Sequence, residues 1–243
     1  MQPDFLHIME KNMQPKPFDG FSMEALDFIN EWRLNNDRDW FKPRKSDYDR
    51  MIKEPALRFI SDLGNKLKLL SRDIEFDLGN NGSLLRIYRD VRFSQDKRPY
   101  NPNIRMVFWE GTFKKAENPG FFIKIDQKGA GVFAGMYMFP KELLNVYRNA
   151  VINSVLGAEL DKAIDDVKKA GTYHIGGKFY KRVPRGYDAA HERAELLMYN
   201  GLYAMTTNIS VDDVCSADLL DICFQHCVNM RPIQHWIVRL LEK

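Results

Sequence analysis

Six basic residues lie between Arg86 and Arg105 (Arg86, Arg89, Arg92, Lys97, Arg98 and Arg105), against two acids, Asp90 and Asp96. A guanidinium presents a fork of donors that matches carboxylate or phosphate oxygens two at a time, and the interleaved Tyr88, Phe93 and Tyr100 offer stacking surface. The pattern points to recognition of a small anionic ligand, phosphate- or carboxylate-bearing. Arg86, Arg89, Arg92 and Lys97 would supply the charge, Tyr88 and Tyr100 the walls, while Asp90 and Asp96 hold the arginines in register. A second basic segment, Lys178 to Arg193, carries Lys178, Lys181, Arg182, Arg185 and Arg193 against Asp188 and Glu192. Held in a turn by Pro184 and Gly186, Arg182 and Arg185 could face the first segment across a cleft, with Tyr187 and His191 nearby. Should the site be catalytic, its arginines would stabilise developing negative charge and Asp96 or His191 would shuttle protons.

Two blander readings compete. The arginines could form an ion-pair network inside a structural or protein–protein interaction module, and the second segment could be a solvated loop whose Asp188 caps a helix. Cys215, Cys223, His226 and Cys227 lack the loop-spaced ligand pairs of a zinc site and read as core, so no metal is expected. Gly129, Gly131 and Gly135 precede a strand where a dinucleotide fingerprint needs a helix, and no serine or cysteine sits in a nucleophile elbow. No cofactor is implied.

Charge is uneven along the chain. With 36 Lys and Arg and 33 Asp and Glu the net is +3 over 243 residues; the two basic segments carry local excesses of four and three, leaving −4 for the remainder. A locally basic, otherwise slightly acidic protein suits anion recognition, and without a broad basic field nucleic acid is not the expected partner. Hydrophobic residues at 44% and charged residues at 28% are globular values. Three cysteines do not make a disulfide framework, no secretory signal is evident, and the mostly apolar stretch Gly129 to Pro140 is shorter than the ~20 residues of a membrane span. A soluble, cytoplasmic protein is expected.

These residues must be positioned by the elements around them. Residues 1–17 have no clean period and read as an arm, leaving a single domain over 18–243. Apolar spacing predicts a helix from Ser22 to Leu34, helical structure from Ser46 interrupted or restarted at Pro55, and helices over Lys141–Leu156, Glu159–Ala170, Ala189–Tyr199, Ser216–Met230 and Pro232–Leu241. Strands are predicted at Leu84–Tyr88, Ile104–Trp109, Phe121–Ile125, Val132–Met138 and Leu202–Ser210. Turns are expected at Gln127-Lys128-Gly129 and, within a short hairpin over Tyr173–Arg182, at Gly176-Gly177. Helices, then strands, then helices imply an α+β fold: a central antiparallel β-sheet flanked by N-terminal and C-terminal helices.

Three blocks resemble an uncharacterised family, domain of unknown function 2461. They are Asn35-Asn36 with Trp40-Phe41, Arg44 and Tyr48; Arg86 to Tyr100; and Lys181 to Asp188 with His191 and Leu196-Leu197. The likeness covers roughly Phe18 to Leu241. It departs after Pro99-Tyr100, where Asn101-Pro102 stand in place of the family's usual lysine. The resemblance implies a compact intracellular domain and brings no activity, substrate or cofactor with it.

Overall fold

Ser22 opens the first helix, α1 (Met23–Leu34), by accepting the Ala25 amide at 3.2 Å, one of the donors a helix start leaves unpaired. Ala25, Leu26, Phe28, Ile29 and Trp32 form its buried face. In this computed structural model, which describes residues 16–242, the arm expected over 1–17 falls almost wholly outside the described residues. Asp37 caps the short α2 (Arg38–Phe41) by accepting the Trp40 amide at 2.8 Å. A 3-10 turn leads to α3 (Lys45–Tyr48), which runs through a π turn at Asp49–Lys53 into α4 (Glu54–Leu67). Pro55 sits in the first turn of α4, directly after that widened turn, so its missing amide restarts the helix without breaking the run.

Six strands follow: β1 (Ile74–Glu75), β2 (Ile104–Glu110), β3 (Gly120–Asp126), β4 (Gly129–Met136), β5 (His174–Lys178) and β6 (Tyr199–Ile209). Their order is β1-β2-β3-β4-β6-β5, every neighbouring pair antiparallel. The remaining helices are α5 (Lys141–Ile152), α6 (Ser154–Ala170), the short α7 (Val211–Val214) and α8 (Leu219–Leu241). This is the α+β single-domain arrangement that the pattern of helices, strands and helices implies. No helix among the described residues is long and apolar enough to cross a membrane.

The sheet has unequal faces. Ile104, Met106 and Phe108 on β2, Phe121, Ile123 and Ile125 on β3, Val132, Ala134 and Met136 on β4, and Leu202 and Ala204 on β6 are buried. Helices α4 and α8 pack on this side, with Cys223, Cys227, Met230, Ile233 and Ile237 of α8 completing the core. The alternate residues, Arg105, Val107, Phe122, Phe133, Tyr203 and Met205, are only part-buried, and none of them is packed away by a helix among the described residues.

Several local expectations give way. Leu84–Tyr88 is not a strand but an extended run with single bridges, Leu84 to Met106 and Tyr88 to Tyr100. Its second partner contains Pro99 and Pro102, which have no amide to donate, so a continuous ladder cannot form. Residues 189–199 are turns ending in a 3-10 turn at Leu196–Met198. There the Asp188 carboxylate accepts the Ala190 amide at 2.8 Å and the His191 ring accepts the Arg193 amide at 3.0 Å, diverting donors a helix would use. Gly176-Gly177 is a bulge inside β5, not a turn: Gly177 has φ +118°, and a Cβ there would lie 2.1 Å from the Gly201 carbonyl oxygen. The break expected at Gly157 falls at Asn153, whose side chain caps α6 through the Val155 and Leu156 amides. The two C-terminal helices are one, α8, with Pro232 in its interior and a continuous buried stripe through it.

Candidate functional site

The arginine segment hangs on the edge of β2 beyond β1. Ser83 begins it: the Val107 amide donates to the Ser83 carbonyl at 3.0 Å, and the Leu85 amide donates to the Arg105 carbonyl at 2.8 Å. At its far end Tyr100 is 4% exposed, packed on Trp32, Phe41 and Tyr88. Asn36 clamps the Tyr100 backbone from both sides, donating to its carbonyl and accepting its amide, each at 3.1 Å. Arg44 lies over the Trp40 ring at 4.6 Å and donates to the Trp40 carbonyl. The first two sequence blocks are thus a single assembly, in which the N-terminal aromatic knuckle anchors the arginine segment.

Within the segment much of the charge is already committed. Asp96 accepts Arg98 through Nε at 3.0 Å and Nη2 at 2.7 Å, and also Arg89 Nη1 at 2.7 Å. The Arg98 and Arg89 guanidiniums hold its carboxyl far below the usual carboxylate range, Arg98 contributing most. Asp90 accepts Arg92 through Nε at 2.9 Å and Nη2 at 2.6 Å, and this bond lowers its pKa as well. Lys97 Nζ donates to the Val91 carbonyl at 3.1 Å.

What is left uncommitted meets in one hollow of about 640 Å³. Leu85, Arg86, Tyr88, Arg89 and Asp90 line it from the segment, Asn81 and Asn101 from its flanks, Arg105 from β2, and Lys115 from the loop between β2 and β3. Arg86, Arg105 and Lys115 take part in no ion pair among the described residues. Arg105 Nη2 donates to the Arg86 carbonyl at 2.6 Å, while its Nε is buried without a partner. Burial, followed by the nearby Arg86 charge, lowers the Arg105 pKa, as expected of a guanidinium beside an uncancelled like charge. Lys115 Nζ donates to the Asn81 and Gly82 carbonyls at 2.5 and 2.7 Å. Its loop is held by the buried Asn118, which accepts the Phe113 amide at 3.2 Å and donates to the Phe113 carbonyl at 2.8 Å. Gly111 makes this possible, with φ +136° and no room for a Cβ against the Asn118 oxygen.

Of the residues singled out in the sequence, Arg86, Tyr88, Arg89 and Asp90 line this hollow. Arg92, Asp96, Lys97 and Tyr100 do not line it: Arg92 pairs with the lining Asp90, Asp96 with the lining Arg89, Lys97 bonds the Val91 carbonyl, and Tyr100 packs on the lining Tyr88. Arg182 and Arg185 are exposed beyond β5, at the opposite edge of the sheet from the β1 side of β2. Four strand spacings, ~19 Å, separate β2 from β5. No hydrogen bond or ion pair among the described residues joins the two basic blocks, and the hollow takes no lining from the second. Arg105 carried a signal as the last cation of the first segment; Lys115, from another loop, carried none. The described residues include no group of three or more His, Cys, Asp or Glu able to hold a metal. Cys223 and Cys227 are core residues, burial pushing the Cys223 thiol up to about 12.

The fold and hollow together define an α+β domain whose antiparallel sheet carries a cluster of uncancelled cations beside its second strand, β2. A family model described as Conserved hypothetical protein (DUF2461) matches residues 24–236, and the chain belongs to that family. No curated protein and no solved structure matches it.

Proposed function

We propose that the protein binds a small phosphate- or carboxylate-bearing anion in the hollow between the arginine segment and β2. One observation carries this reading: Arg86, Arg105 and Lys115 converge on the same space with no carboxylate paired to any of them. Like charges held together repel, and an anion seated among them relieves that repulsion while taking forked hydrogen bonds. Arg89 shares the lining but is oriented by Asp96. The architectural alternative draws support from the Asp96 and Asp90 pairs, which account for Arg89, Arg92 and Arg98. It leaves the charges of Arg86, Arg105 and Lys115 without an acidic partner among the described residues. Three free cysteines fit a reducing compartment, and we assign the protein to the cytoplasm.

Thermal-shift titration with inorganic phosphate, nucleotides and dicarboxylates tests the proposal. A ligand at one hundred times its dissociation constant should stabilise the fold by ~2.7 kcal/mol. Arg86→Ala, an exposed change, should abolish that shift, and Arg182→Ala at the other sheet edge should preserve it. A panel in which no anion moves the melting point would return the arginines to a purely architectural role.

A further inference from the structure

We infer that the anion carries a flat aromatic body, which lies on the sheet face left open by the described helices, next to the cationic hollow; this rests on the anion reading above. A second hollow of about 490 Å³ adjoins the first, and Lys115 lines both. Along β2, Arg105 belongs to the cationic hollow and Val107 to the apolar one. These are successive residues on one strand face, ~7 Å apart, so the two hollows follow one another along the same side of β2. Both volumes are of small-molecule size.

The second hollow has the shape of a trough. Gly120, Gly135 and Tyr203, cross-strand partners on one row through β3, β4 and β6, line it. The Tyr203 ring therefore stands beside bare glycine backbone on the two neighbouring strands. The next row sets Val107, Phe122 and Phe133 side by side, with Phe122 and Phe133 centroids 5.6 Å apart. Tyr137 closes one end, stacked on Tyr203 at 5.8 Å and 26° and itself 76% exposed. Such ring faces, uncovered by any helix among the described residues, suit a planar partner. At the junction, Lys115 spends two of its three donors on the Asn81 and Gly82 carbonyls, leaving one for an anion between the hollows. An inorganic anion would leave the trough empty; an uncharged aromatic would leave the cations unanswered.

Calorimetric titration of the full chain with inorganic phosphate, 1-naphthyl phosphate and 1-naphthol separates the possibilities. The ester should bind about ten-fold tighter than phosphate, the gain a stacked ring typically brings. Tyr203→Ala should remove that gain and leave phosphate affinity unchanged, and Tyr137→Ala, at an exposed position, should do the same if the first variant folds poorly. Arg86→Ala should weaken both anions. Phosphate binding with no advantage for the ester would overturn this inference and leave the anion reading standing; no binding by either would remove both. Equal affinity for 1-naphthol would make the trough an independent apolar site and overturn the linkage. So would displacement of the ester by a short single-stranded oligonucleotide at much lower concentration, or a change in the sedimentation coefficient of unliganded protein on Tyr203→Ala, which would give the face to a polymer or a second copy of the chain.

Discussion

Two carboxylates set how much of the arginine segment's charge remains for a ligand. Asp96 holds Arg89 and Arg98, and Asp90 holds Arg92, so Arg86 and Arg105 are the segment's arginines without an acidic partner among the described residues. Residue types and spacing made the segment conspicuous, but which guanidiniums stay unpaired follows from side-chain directions that composition does not carry. Asp90 is the single acid among the hollow's lining residues. Asp90→Asn should therefore strengthen phosphate binding several-fold in low-salt calorimetry, with the gain fading as ionic strength rises. Affinity that is unchanged at low salt would mean the anion does not sit in that hollow.

The elements that followed expectation are those whose burial is dictated by their own periodicity: α1 with its one apolar stripe, and β2 and β3 with strict alternation. Those that did not, Leu84–Tyr88 and residues 189–199, are governed by missing or diverted amides. On α8, His226 illustrates a contact outside periodicity altogether. Tyr173 Oη lies 2.8 Å from His226 Nδ1 and accepts Asn229 Nδ2 at 2.9 Å, which ties the ring to the loop before β5. Burial lowers the His226 pKa. Its folded value then lies below the unfolded value of about 6.5, and as pH falls the unfolded chain takes up the proton first. The contribution is complete above that unfolded value and is lost as pH drops toward the folded one. His226→Gln should flatten the decline in melting temperature between about pH 7 and 5, whereas a curve parallel to the parent's would remove the titration from the account.

At the scale of the whole molecule, the helix-covered sheet face and α8 are tied through a buried polar pair. Gln234 Nε2 donates to Glu110 Oε2 at 2.7 Å, with Gln234 0% and Glu110 4% exposed. Removing one partner strands the other in the core. Gln234→Ala should cost ~2–3 kcal/mol in urea unfolding with the slope unchanged, and replacing both residues by leucine should recover much of that loss. A single variant that unfolds at the parent's midpoint would show that Glu110 finds another partner. The same global arrangement keeps the two basic blocks apart, since β5 and the β1 side of β2 occupy opposite sheet edges.

The amino-acid order alone determined the α+β character, the hairpin through Gln127-Lys128, the core faces of the longest elements and the excess of cations in residues 86–105. Each depends on neighbours within a few residues, where apolar period, turn chemistry and local charge are written directly. Tertiary structure decided which cations are left uncancelled, that Arg105 and Lys115 join Arg86, and that an aromatic trough lies beside them. Those outcomes depend on strand register and on backbone carbonyls and carboxylates brought together from distant parts of the chain, because charge cancellation and cavity shape act through space.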